Sequence, residues 1–145
     1  MDFMTAIDVG ASSLKAERTN LNVISMNLAN AKTTRTVNGG PYQRKEVIFK
    51  ETEVQNPFSK AMNMALDQDV KGVRVESIQN DRRPFKMVYE PGHPDANEEG
   101  YVRYPDINVV EEMTNMLSAM RAYEANVSTI TTSKNMFTKA LEIGR

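Results

Sequence analysis

The 145-residue chain contains no cysteine, no tryptophan and a single histidine. Without a thiol it can form no disulfide or zinc–thiolate centre and has no cysteine nucleophile. Absence of cysteine is compatible with either redox compartment. No stretch approaches the roughly 18–20 consecutive apolar residues that span a bilayer. The opening "MDFMTAIDVGASSLKAERTN" lacks a basic segment followed by an apolar one, which argues against a cleavable secretory signal. An excess of either charge is missing too: 18 Lys and Arg face 19 Asp and Glu, a net charge of −1. That balance gives no electrostatic reason to expect nucleic acid or an anionic membrane as partner. Arg82-Arg83, an adjacent basic pair, sits between Asp81 and Pro84 and reads as a turn. The default expectation is a cytoplasmic protein, unless it leaves by a route that removes nothing.

What is present is helical at both ends. The size suits one domain, and hydrophobic residues make up 40% of it. From about Asp2 to Asn30, Ile7, Leu14, Leu21 and Leu28 recur every seven residues. "NLANAKTTRTVNGGPY" ends this pattern, with Gly39-Gly40-Pro41 breaking the chain direction. Near the other end, Val109, Met113, Met116, Met120, Tyr123, Val127, Ile130, Phe137 and Leu141 keep a 4-3 spacing that only Lys134 interrupts. Asn108 or Asp106 can cap this second helix, Glu111 and Glu112 place negative charge in its first turn, and Gly144 closes it. At about 1.5 Å per residue such a helix is some 54 Å long, more than a compact domain of this size covers, so part of it is expected to project.

Between the helices the chain reads as β structure. "KEVIFK" is a short β-branched and aromatic run, "VKGVRVESI" alternates Val73 and Val75 with Arg74 and Glu76, and "FKMVYE" suggests a third strand. The polar stretch from about 50 to 69 reads as a mobile loop, with one helical turn around Lys60 to Leu66. The expected fold class is α+β. Long N-terminal (1–34) and C-terminal (105–145) helices form a coiled-coil-like pair, with a small β-rich insert (35–104) between them.

The second helix carries a further signal. Of the 24 residues from Met113 to Met136, only Arg121, Glu124 and Lys134 are charged, while 13 are Ala, Ser, Thr or Asn. A free-standing coiled coil covers its flanks with Glu and Lys. Short, uncharged flanks let other helices approach closely, and one 30-residue partner cannot cover every face, so packing between molecules is expected. "VSTITT" has poor intrinsic helix propensity, which couples its folding to association.

Catalytic chemistry finds little support. His93 lies near Asp95, Glu98 and Glu99 in "YEPGHPDANEEGYV", a combination that can bind a divalent metal. The Pro- and Gly-rich turn reads better as a solvated loop, so no metal, no cofactor and no enzymatic site are expected. With one histidine, no cysteine and no Gly-x-Ser-x-Gly elbow, no triad can be assembled. Adjacent Glu111 and Glu112 would diverge on a helix and read as helix-start charge.

"LNVISMNLANAKTT", with its Asn27-Leu28-Ala29-Asn30 motif, resembles the N-terminal signature of flagellar basal-body rod and hook proteins. The C-terminal "EEMTNMLSAMRAYEANVSTITTSKNMFTKALEIG", including Arg121, Tyr123, Glu124, Ala125 and Asn126, resembles their other signature. "GGPYQRKEVIF" and "VYEPGHPDANEEGYVRYPDINVVEEM" are similar to the proximal rod members of that family. The likeness leaves only about Lys50 to Gln68 unmatched. It implies a structural subunit whose terminal helices pair with each other and with those of neighbours, building a helical tube that transmits torque for motility. It also implies export through the flagellar type III export apparatus without signal cleavage, and a place in the basal-body rod crossing the periplasm. The partners implied are other copies of itself and other flagellar rod proteins, with no nucleic acid and no direct membrane insertion. Residues expected to pair helices are Leu14, Leu21, Leu28, Met113, Met120, Tyr123, Val127 and Ile130. Asn27, Asn30, Arg121, Glu124 and Asn126 are expected to fix register by polar contacts. The alternative is a cytoplasmic coiled-coil adaptor or chaperone-like protein that binds one helical partner.

Overall fold

The computed structural model describes residues 3–37, 39–53 and 71–144. Within them, α1 (Phe3–Ala29) is followed by strands β1 (Lys45–Glu53), β2 (Lys71–Asn80), β3 (Lys86–Tyr89) and β4 (Tyr101–Tyr104), then by α2 (Val109–Ile143). This is the expected α+β arrangement, two helices flanking short antiparallel strands.

Both helices end where their side chains can satisfy the backbone. At the end of α1, the Asn30 amide donates to the Met26 carbonyl at 2.8 Å and its Oδ1 accepts from the Thr33 hydroxyl at 3.2 Å. The Met26 carbonyl thus accepts twice from Asn30, from its backbone N–H at 3.1 Å and from its side chain, which fastens the last turn. At the start of α2, Asn108 Oδ1 accepts the Val110 N–H at 3.1 Å, an N-cap that fixes the first turn. Thr114, Thr129, Thr131 and Thr138 donate their hydroxyls to carbonyls four residues back, so these polar groups are content on a helix without outside partners.

α1 is the central element, packed against α2 on one side and the β1–β2 hairpin on the other. The helices are antiparallel: Asn27 meets Glu112 while Gly10 meets Ile130. At Gly10 the Ile130 side chain lies so close to the α1 backbone that a Cβ there would stand 2.8 Å from Ile130 Cγ1. On the other side, the Ser12 hydroxyl donates to Val9 O at 2.7 Å and accepts from Val73 N at 3.1 Å, which ties α1 to β2. The buried apolar core is small: Ala16, Val23 and Ile24 from α1, Val47 from β1, Val102 from β4 and Ala119 from α2.

β1 and β2 pair from Lys45↔Asn80 to Glu53↔Lys71, and the register shifts between Ile48 and Phe49. Val73 and Val75 are half-buried and Arg74 and Glu76 exposed, the alternation read from the sequence. β3 forms a separate two-stranded sheet with β4, Tyr89 opposite Tyr101. Three strands were expected; "YVRY" is a fourth, which four residues behind a Gly-containing turn do not announce by any period. Gly100 makes the turn into it with φ +83°, a conformation side chains other than glycine rarely adopt. β1 also runs on to Glu53, into the stretch read as loop. The rest of that stretch, with the turn expected around Lys60 to Leu66, lies outside the described residues.

Candidate assembly interface

A polar knot forms where the end of α1, the start of β1 and the start of α2 meet. Asn27 is 1% exposed, yet its amide is fully engaged. Nδ2 donates to the Lys45 carbonyl at 2.8 Å and to Glu112 Oε2 at 3.2 Å. Oδ1 accepts from Lys45 N at 2.9 Å and from the Tyr42 hydroxyl at 3.1 Å. Toward Lys45 the side chain behaves as one more peptide group, extending the strand's hydrogen bonding onto the helix. Only an amide offers a donor and an acceptor in that geometry.

Glu112 is fully buried. Its Oε1 accepts from Arg44 Nε at 2.8 Å and Nη2 at 2.7 Å, while Arg44 Nη1 reaches Asp81 Oδ2 at 3.3 Å. Asp81 in turn receives Arg83 Nε at 2.7 Å, and the Arg83 contacts hold its carboxyl below the usual range. Three segments, the approach to β1, the turn after β2 and the start of α2, are thereby joined through one chain of charges, to which Asn27 adds the end of α1. Among the described residues no buried side-chain N or O lacks a partner, the condition under which a buried polar network specifies geometry instead of weakening it.

Burial, and then the Glu112 carboxylate, raise the Tyr42 ionisation above its ordinary 10.0. A raised folded-state value means the folded chain holds this proton more tightly than the unfolded chain. The resulting stability is complete below pH 10 and is lost as pH climbs through the raised value. The stability difference between wild type and Tyr42→Phe should therefore be flat at neutral pH and shrink above about pH 10, as read by urea unfolding across that range. A difference independent of pH would show that the hydroxyl does not face this buried environment.

On α2, the stripe turned to α1 is Glu112, Met116, Ala119, Tyr123, Asn126, Ile130 and Ser133, all buried or half-buried at 4-3 spacing. It shares Met116, Tyr123 and Ile130 with the apolar seam read from the sequence. The rest of that seam's first half turns away, leaving Val109, Met113, Met120 and Val127 exposed by 41–55%. Val110 and Leu117 extend the same outward apolar row. Of the residues expected to pair helices, Leu14, Leu21, Leu28, Tyr123 and Ile130 are half-buried, the last two on the stripe turned to α1, whereas Met113, Met120 and Val127 face outward. Of those expected to fix register, Asn27 is in the knot, Asn30 caps α1, Asn126 lies on the inner stripe, and Arg121 and Glu124 are exposed. The sequence reading missed Tyr42, Arg44 and Glu112. For Glu112 a signal existed, because it continues the 4-3 stripe of Met116, Ala119 and Tyr123 one step toward the N-terminus.

The His93 turn is tied up in its own hydrogen bonds. His93 Nδ1 accepts Asp95 N–H at 3.1 Å, the ring packs edge-on to Tyr104, and Asp95 accepts the Thr34 hydroxyl at 2.8 Å. The turn thereby fastens the β3–β4 hairpin to the segment after α1. Among the described residues no cluster could hold a metal ion, and no helix is long and apolar enough to cross a membrane.

Two segments of the chain match known families. Residues 7–35 match Flagella basal body rod protein, and residues 98–143 match Flagellar basal body rod FlgEFG protein C-terminal. These segments contain nearly all of α1 and all of α2. The chain is 45% identical to the flagellar basal-body rod protein FlgC of Borreliella burgdorferi, over 99% of its own length and 98% of that protein. It is 42% identical to FlgC of Bacillus subtilis over 97% of each chain, and 38% identical to FlgC of Salmonella typhimurium over 100% of each.

Proposed function

Because the chain belongs to the family of flagellar basal-body rod protein FlgC, we propose that it is a structural subunit of the flagellar rod, not an enzyme, which self-assembles by helix packing into a helical tube and transmits torque. Its partners on this reading are further copies of itself, other rod proteins and the flagellar type III export apparatus. It is exported without signal cleavage and takes its place in the rod crossing the periplasm. Residues 1–34 and 105–145 supply the axial helices and 35–104 the outer insert.

One observation carries the reading: a row of large apolar side chains on α2, Met113, Leu117, Met120 and Val127, faces solvent in the single chain. A row of that kind in a soluble protein marks a contact surface. Leu14, Leu21, Leu28, Tyr123, Asn126 and Ile130 then hold the helices of one chain together. Met113, Met120 and Val127 meet neighbours, with Arg121 and Glu124 setting register there, while Asn27 and Asn30 fix the angle at which α1 leaves the insert.

Sedimentation of the full chain over a wide concentration range, with far-UV circular dichroism at each point, tests it. Open-ended growth accompanied by a gain of helix is expected. A small oligomer of fixed size and full helicity at every concentration would overturn the reading in favour of a coiled-coil adaptor.

A further inference from the structure

α2 has two unlike flanks. At about 100° of rotation per residue, Met113, Leu117 and Met120 lie about 80–140° to one side of the stripe that faces α1. Asn115, Ser118 and Ala122 lie about 60–120° to the other side. The first flank is a ridge of long, unbranched or γ-branched side chains, each 44–56% exposed. The second flank is the wall of a groove.

That groove holds about 400 Å³ and runs between α2 and β1 with α1 as its floor. Val23, Ile24, Val47 and Ala119 give it an apolar base, and Asn115, Ser118 and Ala122 give it a low wall. Glu17 of α1 and Glu46 of β1 also line it, and neither joins an ion pair among the described residues. The polar knot of Asn27 and Arg44 closes one end.

We propose that the groove receives the Met113–Leu117–Met120 ridge of a second copy of this chain. The inference rests on the self-assembly reading above and names the surfaces that it would use. Three features select this occupant. Long side chains on one flank meet a low wall and an apolar base on the other, the size relation that lets helices approach closely. Charge agrees as well: Arg121, one turn beyond Leu117 and next to Met120, is exposed with no carboxylate partner among the described residues, and it would come against Glu17 and Glu46. The groove base is also continuous with the contact already built between α1, β1 and α2, so a ridge seated there extends an existing core. Since ridge and groove occupy different flanks of one helix, the contact is heterologous. Each copy would offer a fresh ridge and a fresh groove, so the array has no inherent end.

The test uses two full-length variants, each defective on one flank. Leu117→Glu spoils the ridge and leaves the groove intact. Ser118→Trp fills the groove and leaves the ridge intact. Both positions are exposed in the single chain, and circular dichroism and thermal melting confirm the fold. Should Ser118→Trp lower the melting midpoint, Asn115→Trp places the same bulk on the same wall.

Each variant alone should need a concentration about a hundredfold higher than wild type to associate, as loss of a central anchor residue produces. An equimolar mixture should yield dimers and nothing larger by sedimentation, because one intact ridge and one intact groove make a single junction. If wild type assembles and either variant assembles as readily, the groove is not the docking site, and the rod reading survives. A mixture that remains monomeric overturns the pairing of these two surfaces. A wild type that is monomeric at every concentration overturns self-association itself, and with it both statements.

Discussion

Glu112→Ala should lower the unfolding free energy by about 3–5 kcal/mol, the cost of removing one partner from a buried ion pair. The magnitude comes from what is left behind. The Arg44 side chain is 14% exposed and would keep only Asp81, at 3.3 Å, as a charged partner. Asn27 Nδ2 would also lose one of its two acceptors. The pair itself need not be a large net source of stability, since taking both charges out of water is costly. Arg44→Met combined with Glu112→Met should therefore lose much less than Glu112→Ala alone. Urea denaturation of the three variants reads this directly. A loss of under about 1 kcal/mol for Glu112→Ala, the size typical of exposed pairs, would mean that the carboxylate is not enclosed between α1 and the insert.

A second large effect is expected at Gly10, where the sign is as informative as the size. In an isolated helix, Gly→Ala stabilises by about 1 kcal/mol. Here the added Cβ would stand 2.8 Å from Ile130 Cγ1 and 3.0 Å from its Cδ1. Overpacking of this sort costs about 1–3 kcal/mol, enough to cancel or reverse the gain. Gly10→Leu, which needs room for a whole side chain at that spot, should lose about 3 kcal/mol or more. Once Ile130→Ala has opened the space, Gly10→Ala should stabilise. If Gly10→Ala instead stabilises the wild-type chain by the full propensity gain, the helices do not touch at Gly10.

Both helices could be located from sequence because their limits are local. Asn30 and Asn108 act on backbone within a few residues of themselves, and the alternation of Val73, Arg74, Val75 and Glu76 is likewise short-range. What could not be read is which side of α2 turns inward. Its apolar residues suggest one seam, but the side that meets α1 is set by clearance at Gly10 and by the bonds between Asn27 and Glu112. The clearance at Gly10 has no signature in the neighbouring residues, and the one Glu112 leaves, its place on the stripe of Met116, Ala119 and Tyr123, competes with the more apolar seam beside it. By sequence Glu112 reads as helix-start charge together with Glu111, and Glu111 is exposed in that first turn. Two adjacent glutamates point in different directions on a helix, so their environments diverge while their sequence context is the same. Tyr42 and Arg44 belong to the knot only through contacts from 15 to 68 residues away.

The separation of 85 positions from Asn27 to Glu112 has a consequence for the order of events. A chain delivered N-terminus first, from a ribosome or through a narrow channel, presents α1 long before α2. Until residue 112 emerges, Asn27 has no carboxylate to bind, Arg44 has no counterion in α2, and the inner side of α1 is bare. Closing so long a loop is slow compared with forming a local turn. The knot is thus a late-closing latch: a chain in transit remains pliable along its length, and rigidity arrives only with its last quarter.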